Sequence, residues 1–137
     1  MLQAIRIITL AALTSLCGHA ALAADNPLSV HILDLQTGQP TAGVGVDLEQ
    51  RTASGWRPLA SGVTDHNGRI RALFPEGQSL VSGEYRVVFR TGEHYARVRQ
   101  STFFPEIPVP FKVESAAQHY HIPLLLSPYG YSTYRGN

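Results

Sequence analysis

Two histidines two positions apart, His119 and His121, open an apolar run near the C-terminus. Residues i and i+2 of a strand project from the same face, so these two imidazoles emerge side by side. His-x-His is also a spacing that metal sites use. Metal sites of this kind usually need three protein ligands, and beyond Glu114 no second ligand motif accompanies the pair, so no metal is assigned. After the turn Ser127-Pro128-Tyr129-Gly130, a second extended segment from Tyr131 to Arg135 leads to the terminal Gly136-Asn137. Chain ends fray unless they are packed. An aromatic strand carrying an arginine at the very end therefore reads as part of a built site.

Three further residues could join this chemistry. His31 lies in Leu28-Ser-Val-His-Ile-Leu-Asp34, sharing a face with Leu33 and Leu35 and opposite Val30 and Ile32. Histidine titrates near neutrality, and a ring kept neutral in an apolar groove can accept a proton from water. Arg69 and Arg71 flank Ile70 and leave their strand on one face. A guanidinium fork suits a planar, anionic acceptor edge. Taken alone, His31 reads more often as a satisfied strand histidine than as a catalyst, and the arginine pair reads equally as a solvated edge. His66 and His94 read as surface residues, Trp56 as core, and Phe103-Phe104-Pro105-Glu106 as a turn with apolar anchors. Tyr129, Tyr131 and Tyr134 suit sheet packing or an interface. Tyr131 and Ser132 point opposite ways, so the C-terminal motif cannot line one groove as a whole.

The elements that must position these groups read as an all-β sandwich. Short alternating segments run over Leu28–Leu35, Val44–Glu49, Trp56–Val63, Arg69–Leu73 and Glu84–Arg90, then over Ile107–Val113, His119–Leu126 and Tyr131–Arg135. Asn67-Gly68 suits a turn with positive φ. Pro108 and Pro110 confine their segment to a sheet edge. Gly92–Gln100 is the one stretch with a helical pattern.

The chain has 137 residues. Residues 1–23 read as a cleaved secretory signal: a basic start ending at Arg6, an apolar run from Ile7 to Cys17, and the small pair Ala21 and Ala23 at the cut. Leu16 is bulky where a lipoprotein signal prefers a small residue. Residues 24–137 then form one domain in the periplasm. Cys17, the only cysteine, leaves with the signal, so no disulfide supports the fold. Removing Arg6 leaves ten basic against ten acidic side chains. That balance argues against a nucleic-acid or membrane-surface partner.

Four motifs in order, LSVHILD, the Thr64-Asp65-x-x-Gly68-Arg69 turn, Phe104-Pro-Glu-Ile-Pro108 and HYHIPLLLSPYGYSTYRG, resemble the transthyretin-like 5-hydroxyisourate hydrolases. The likeness spans Leu28 to Gly136. It implies a two-sheet sandwich of eight strands with one short helix, assembled as a homotetramer (a dimer of dimers) with grooves at the dimer–dimer interface. It implies hydrolysis of 5-hydroxyisourate to 2-oxo-4-hydroxy-4-carboxy-5-ureidoimidazoline in urate degradation, without a cofactor. The family's catalytic residues fall on His31, Arg69 and His121, and substrate binding falls on His31, Arg69, Tyr134, Arg135 and Asn137. The enzymes end in Tyr-Arg-Gly-Ser, so Asn137 departs from the pattern at the last position. The alternative is a non-catalytic periplasmic protein of the same fold that binds a ligand or metal. A mere carrier, however, has no need of two histidines and an arginine in one channel.

Overall fold

A computed structural model describes residues 25–137. The expected signal segment lies outside the described residues. Eight strands and one helix follow in order: β1 (Leu28–Asp34), β2 (Gly45–Thr52), β3 (Gly55–Val63), β4 (Arg69–Ile70), β5 (Gly83–Phe89), α1 (Thr91–Arg97), β6 (Ile107–Val113), β7 (Tyr120–Ser127) and β8 (Gly130–Thr133). They form two four-stranded sheets, β4-β1-β7-β8 and β3-β2-β5-β6. The expected sandwich is present.

Period-two alternation explains why these segments are strands. In β1 the residues Leu28, Val30 and Ile32 are buried, while Ser29, His31 and Leu33 face outward and are half-buried. In β7 the inward set is Tyr120, Ile122, Leu124 and Leu126, packed with Val44, Val46, Leu48, Val87 and Phe89 of the facing sheet region. A register slip of one residue would turn this core to solvent and the histidines inward, so burial fixes where the site residues point. β1 and β7 run parallel and pair Ser29 with His121 and His31 with Pro123.

Several expected boundaries move for local reasons. β4 stops at Ile70 because Leu73 and Phe74 are consecutive and both buried, which a period-two strand cannot accommodate. The helix stops at Arg97. Arg99 adopts φ 57°, the Arg99 N–H donates to the Ala96 carbonyl and the Gln100 N–H to the Tyr95 carbonyl, a left-handed cap on a non-glycine residue. β6 is an edge strand, as its two prolines require. β8 ends at Thr133 rather than Arg135. The next partner on β7 is Pro123, which has no N–H to donate, so the ladder lapses and resumes with the Gly136 N–H donating to the His121 carbonyl at 3.0 Å. Trp56 is not core: it lies half-exposed on the second sheet beneath the guanidinium groups of Arg86 and Arg51, 4.6 and 5.2 Å from the ring centre. His94 is not fully surface either. It is half-buried edge-on against Tyr95, and burial lowers its pKa.

The turn before β4 is the tightest part of the frame. Asp65 Oδ1 accepts from the N–H groups of Asn67 and Arg69, both at 2.9 Å, and the Asp65 carbonyl accepts from Gly68 N–H at 2.8 Å. The Arg69 N–H is the main reason the Asp65 carboxyl lies below its ordinary pKa. Gly68 has φ +70°, and a Cβ there would sit 2.5 Å from the Ile32 carbonyl oxygen and 2.9 Å from the Thr41 nitrogen. Gly68→Ala is therefore expected to destabilise the domain by about 2 kcal/mol or more, through strain and backbone collision together. Denaturant unfolding measures it, and a loss under about 0.5 kcal/mol, typical of an ordinary surface substitution, contradicts the reading.

Candidate active site

The outward face of the first sheet collects the chemistry. His31 and Arg69 are direct partners across β1 and β4, so their side chains leave on the same side. Ser29 and His121 are partners across β1 and β7, one step along the same face. The rings of His31 and His121 lie stacked with centres 6.4 Å apart and planes at 29°. Three of the expected residues, from positions 31, 69 and 121, thus meet on one surface.

The electrostatics of that surface favour neutral imidazoles. Partial burial is the main cause lowering the pKa of His31 from its ordinary 6.5, and the Arg69 guanidinium lowers it further; the Asn67 backbone and Asp65 oppose this. His121 is also lowered, first by desolvation, then by Arg69, His31 and His119, with a hydrogen bond to the Ser29 backbone opposing. Both shifts favour the neutral form at neutral pH, in which one ring nitrogen carries a lone pair.

Ser29, which the sequence did not single out, joins the site and links His121 to its strand companion His119. Ser29 Oγ lies 2.8 Å from His121 Nδ1 and 2.9 Å from His119 Nε2. His119 Nδ1 in turn lies 2.9 Å from the Asn26 carbonyl oxygen. The signal for Ser29 was available, since it stands two residues before His31 on the same strand face. Beside this row an open basin of about 630 Å³ is lined by Asn26, Ser29, Arg69, Arg71 and His119.

The C-terminal residues divide. Gly136 is bonded to His121 and a Cβ on it would collide with the His121 ring. Tyr134 and Arg135 line a separate cleft of about 280 Å³ with Phe111, Tyr120 and His121, at the edge where the two sheets part. Arg135 is turned towards the inner side of β7. Its guanidinium lies 5.4 Å from the Tyr120 ring centre and donates to Gln118 Oε1 at 2.9 Å. Asn137 is exposed. Within one chain, then, Arg135 does not face the His31–Arg69 pair. Among the described residues no group of three or more His, Cys, Asp or Glu side chains is arranged to hold a metal ion.

An eight-stranded sandwich with a histidine–arginine surface on one sheet defines the class. A sequence model of the HIUase/Transthyretin family matches residues 28–136, and the chain belongs to that family. It is 52% identical over 128 residues to the 5-hydroxyisourate hydrolase of Salmonella dublin, covering 93% of each chain. It is 42% identical over 114 residues to that of Caulobacter vibrioides, covering 80% of this chain and 97% of the other. Among solved structures, it resembles Klebsiella pneumoniae 5-hydroxyisourate hydrolase with TM-score 0.70 at 38% identity, over 80% of this chain and 98% of that one. It also resembles transthyretin from Sparus aurata with TM-score 0.74 at 38% identity, over 80% and 96%. Fold alone does not separate 5-hydroxyisourate hydrolase from transthyretin.

Proposed function

We propose that this chain is a 5-hydroxyisourate hydrolase, opening the ring of its substrate with water. The observation that carries this reading is the pairing of two neutral histidines with Arg69 on one sheet face. A carrier needs apolar surface and shape, whereas a hydrolase needs a proton acceptor beside a cation. A neutral imidazole of the pair accepts a proton from water as the water oxygen bonds to a ring carbonyl carbon. The carbonyl oxygen becomes an oxyanion, which the Arg69 guanidinium steadies. The carbon–nitrogen bond then breaks, the ring nitrogen takes the proton back from the imidazolium, and the carbon is released as a carboxylic acid, which gives its proton to solvent to become the carboxylate. His31, Arg69 and His121 are the catalytic set, with Tyr134, Arg135 and Asn137 as substrate-binding residues. The direct test follows the near-ultraviolet absorbance of freshly generated 5-hydroxyisourate, with decay no faster than the uncatalysed rate counting against the reading.

The same reading includes a homotetramer in the periplasm. β6 and β8 are edge strands, and Tyr129, Tyr131 and Tyr134 are exposed at and beyond the β8 edge. Exposed edges and aromatic side chains of this kind suit a symmetric interface. Light scattering at micromolar concentration tests this, and a monodisperse monomer contradicts it.

Asn137 replaces a hydroxyl by an amide at the terminal position. Two imidazoles already supply proton transfer, so we assign the last residue an orienting hydrogen bond that an amide can make. Asn137→Ser is then expected to change kcat/KM by less than about threefold, under roughly 0.7 kcal/mol. A tenfold gain in steady-state kinetics would show that the terminal hydroxyl carries a proton.

A further inference from the structure

The hydrogen bonds behind His121 leave little freedom in where its proton sits. This series of hydrogen bonds starts from Asn26, whose side chain is pinned: Nδ2 donates to the Phe74 carbonyl at 2.8 Å, and Oδ1 accepts from the N–H groups of Leu28 and Phe74, both at 3.1 Å. The Asn26 carbonyl is thereby held against His119 Nδ1. A carbonyl can only accept, so His119 Nδ1 carries the hydrogen. In a ring that carries one hydrogen Nε2 is then a lone pair, and among the described residues the group bonded to it is Ser29 Oγ. The single Ser29 hydroxyl hydrogen therefore points at His119. What Ser29 offers His121 Nδ1 is a lone pair, so His121 Nδ1 must donate. Its remaining nitrogen, Nε2, is left unprotonated.

We propose that Asn26, His119 and Ser29 form a positioning relay that sets the His121 tautomer, leaving Nε2 as the proton acceptor. This rests on the hydrolase reading only for its kinetic consequence. Each link has a defined direction, because one end is a carbonyl that cannot donate and the middle is a hydroxyl with one hydrogen. The hydrogen bond made by one ring nitrogen decides the state of the other, and a catalytic histidine in the wrong tautomer loses most of its activity. The relay also gives His119 a role that needs neither metal nor substrate contact. Ser29 and His119 are positioning residues in this account, and the reacting atom is His121 Nε2.

Long-range proton–nitrogen correlation spectra of the ¹⁵N-labelled full chain at neutral pH read both tautomers directly. The expected result is hydrogen on Nδ1 in both His119 and His121. Ser29→Ala should convert His121 to a mixture of tautomers and lower kcat about tenfold, with KM within about twofold. Ser29→Thr retains the hydroxyl and should restore the single tautomer and most of kcat, which a merely structural role of the serine would not predict. Hydrogen on Nε2 of His121 in the unsubstituted protein overturns the relay. So does an unchanged kcat in a folded Ser29→Ala variant. If the unsubstituted protein does not hydrolyse 5-hydroxyisourate, the hydrolase reading falls, and the tautomer spectra still decide the relay.

Discussion

Replacing Arg69 by glutamine is expected to lower kcat/KM for 5-hydroxyisourate by about a hundredfold or more, the scale of losing an oxyanion partner. The same substitution should move the acidic limb of the pH profile upward. Arg69 is the second cause, after desolvation, that lowers the pKa of both His31 and His121. Removing a neighbouring positive charge makes each imidazolium easier to form, so both pKa values rise towards the ordinary 6.5 and activity is lost at a higher pH. In the unsubstituted protein the limb is expected below the ordinary histidine value of 6.5, since both rings are lowered from it. The stability effect has the same sign. A ring whose folded pKa is depressed binds its proton less readily when folded than when unfolded. The histidine contribution is therefore fully present above the unfolded value and is lost as pH falls through the lowered one. His31→Ala and His121→Ala should each cost about a hundredfold in rate as well. His31→Ala differs from Arg69→Gln in removing from His121 a neighbouring ring that helps to lower its pKa. Rate–pH profiles of the three variants, with unfolding midpoints to check folding, separate these effects. An Arg69→Gln variant with an unmoved acidic limb would show that the guanidinium does not act on the rings.

What the sequence made legible was whatever depends on period two and on side-chain chemistry. Leu28, Val30 and Ile32 alternate with Ser29, His31 and Leu33, so the inward and outward faces of β1 follow from the sequence. The family motifs placed Arg69, and the structure sets it directly across from His31. Less legible were the features decided by tertiary contact. Trp56 is large and apolar, which suggested core, yet its aromatic face can also be satisfied by the guanidinium groups of Arg86 and Arg51. The helix was expected to reach Gln100 because nothing in Val98-Arg99 announces a stop. It ends earlier through a left-handed arginine, a choice that local sequence rules assign to glycine or asparagine. The role of Ser29 needed the parallel pairing of β1 with β7, a contact between residues ninety-two positions apart. Arg135 shows the reverse case. Its place in the terminal motif suggested the groove, but within one chain the register of the last residues turns it to Tyr120.

Gly136→Ala is expected to reduce kcat by at least about tenfold while moving the unfolding midpoint little, and Gly136→Val by more. The argument is one of space rather than backbone freedom. Gly136 carries its N–H to the His121 carbonyl at 3.0 Å, which seats the chain end directly over the next side chain on that face, the His121 imidazole. A Cβ at position 136 would collide with Cδ2 of that ring and stand 3.1 Å from Cγ, with Pro123 Cγ at 3.0 Å closing the other side. Pro123 cannot move without disturbing β7, a central strand paired to β1 over seven residues. Either the imidazole swings away from Ser29 or the terminal residues lift off β7. The first outcome releases the His121 tautomer, and the second displaces Tyr134, Arg135 and Asn137 together. Both reach the chemistry, whereas the core is untouched, because residues 131–137 are exposed or half-buried and contribute little apolar burial. Kinetics beside calorimetry on the same samples distinguishes this from general destabilisation. The His121 tautomer spectrum then says which group moved. Full activity in a well-folded Gly136→Val variant would mean that the chain end does not seat the ring, and that its contact with His121 is incidental to turnover.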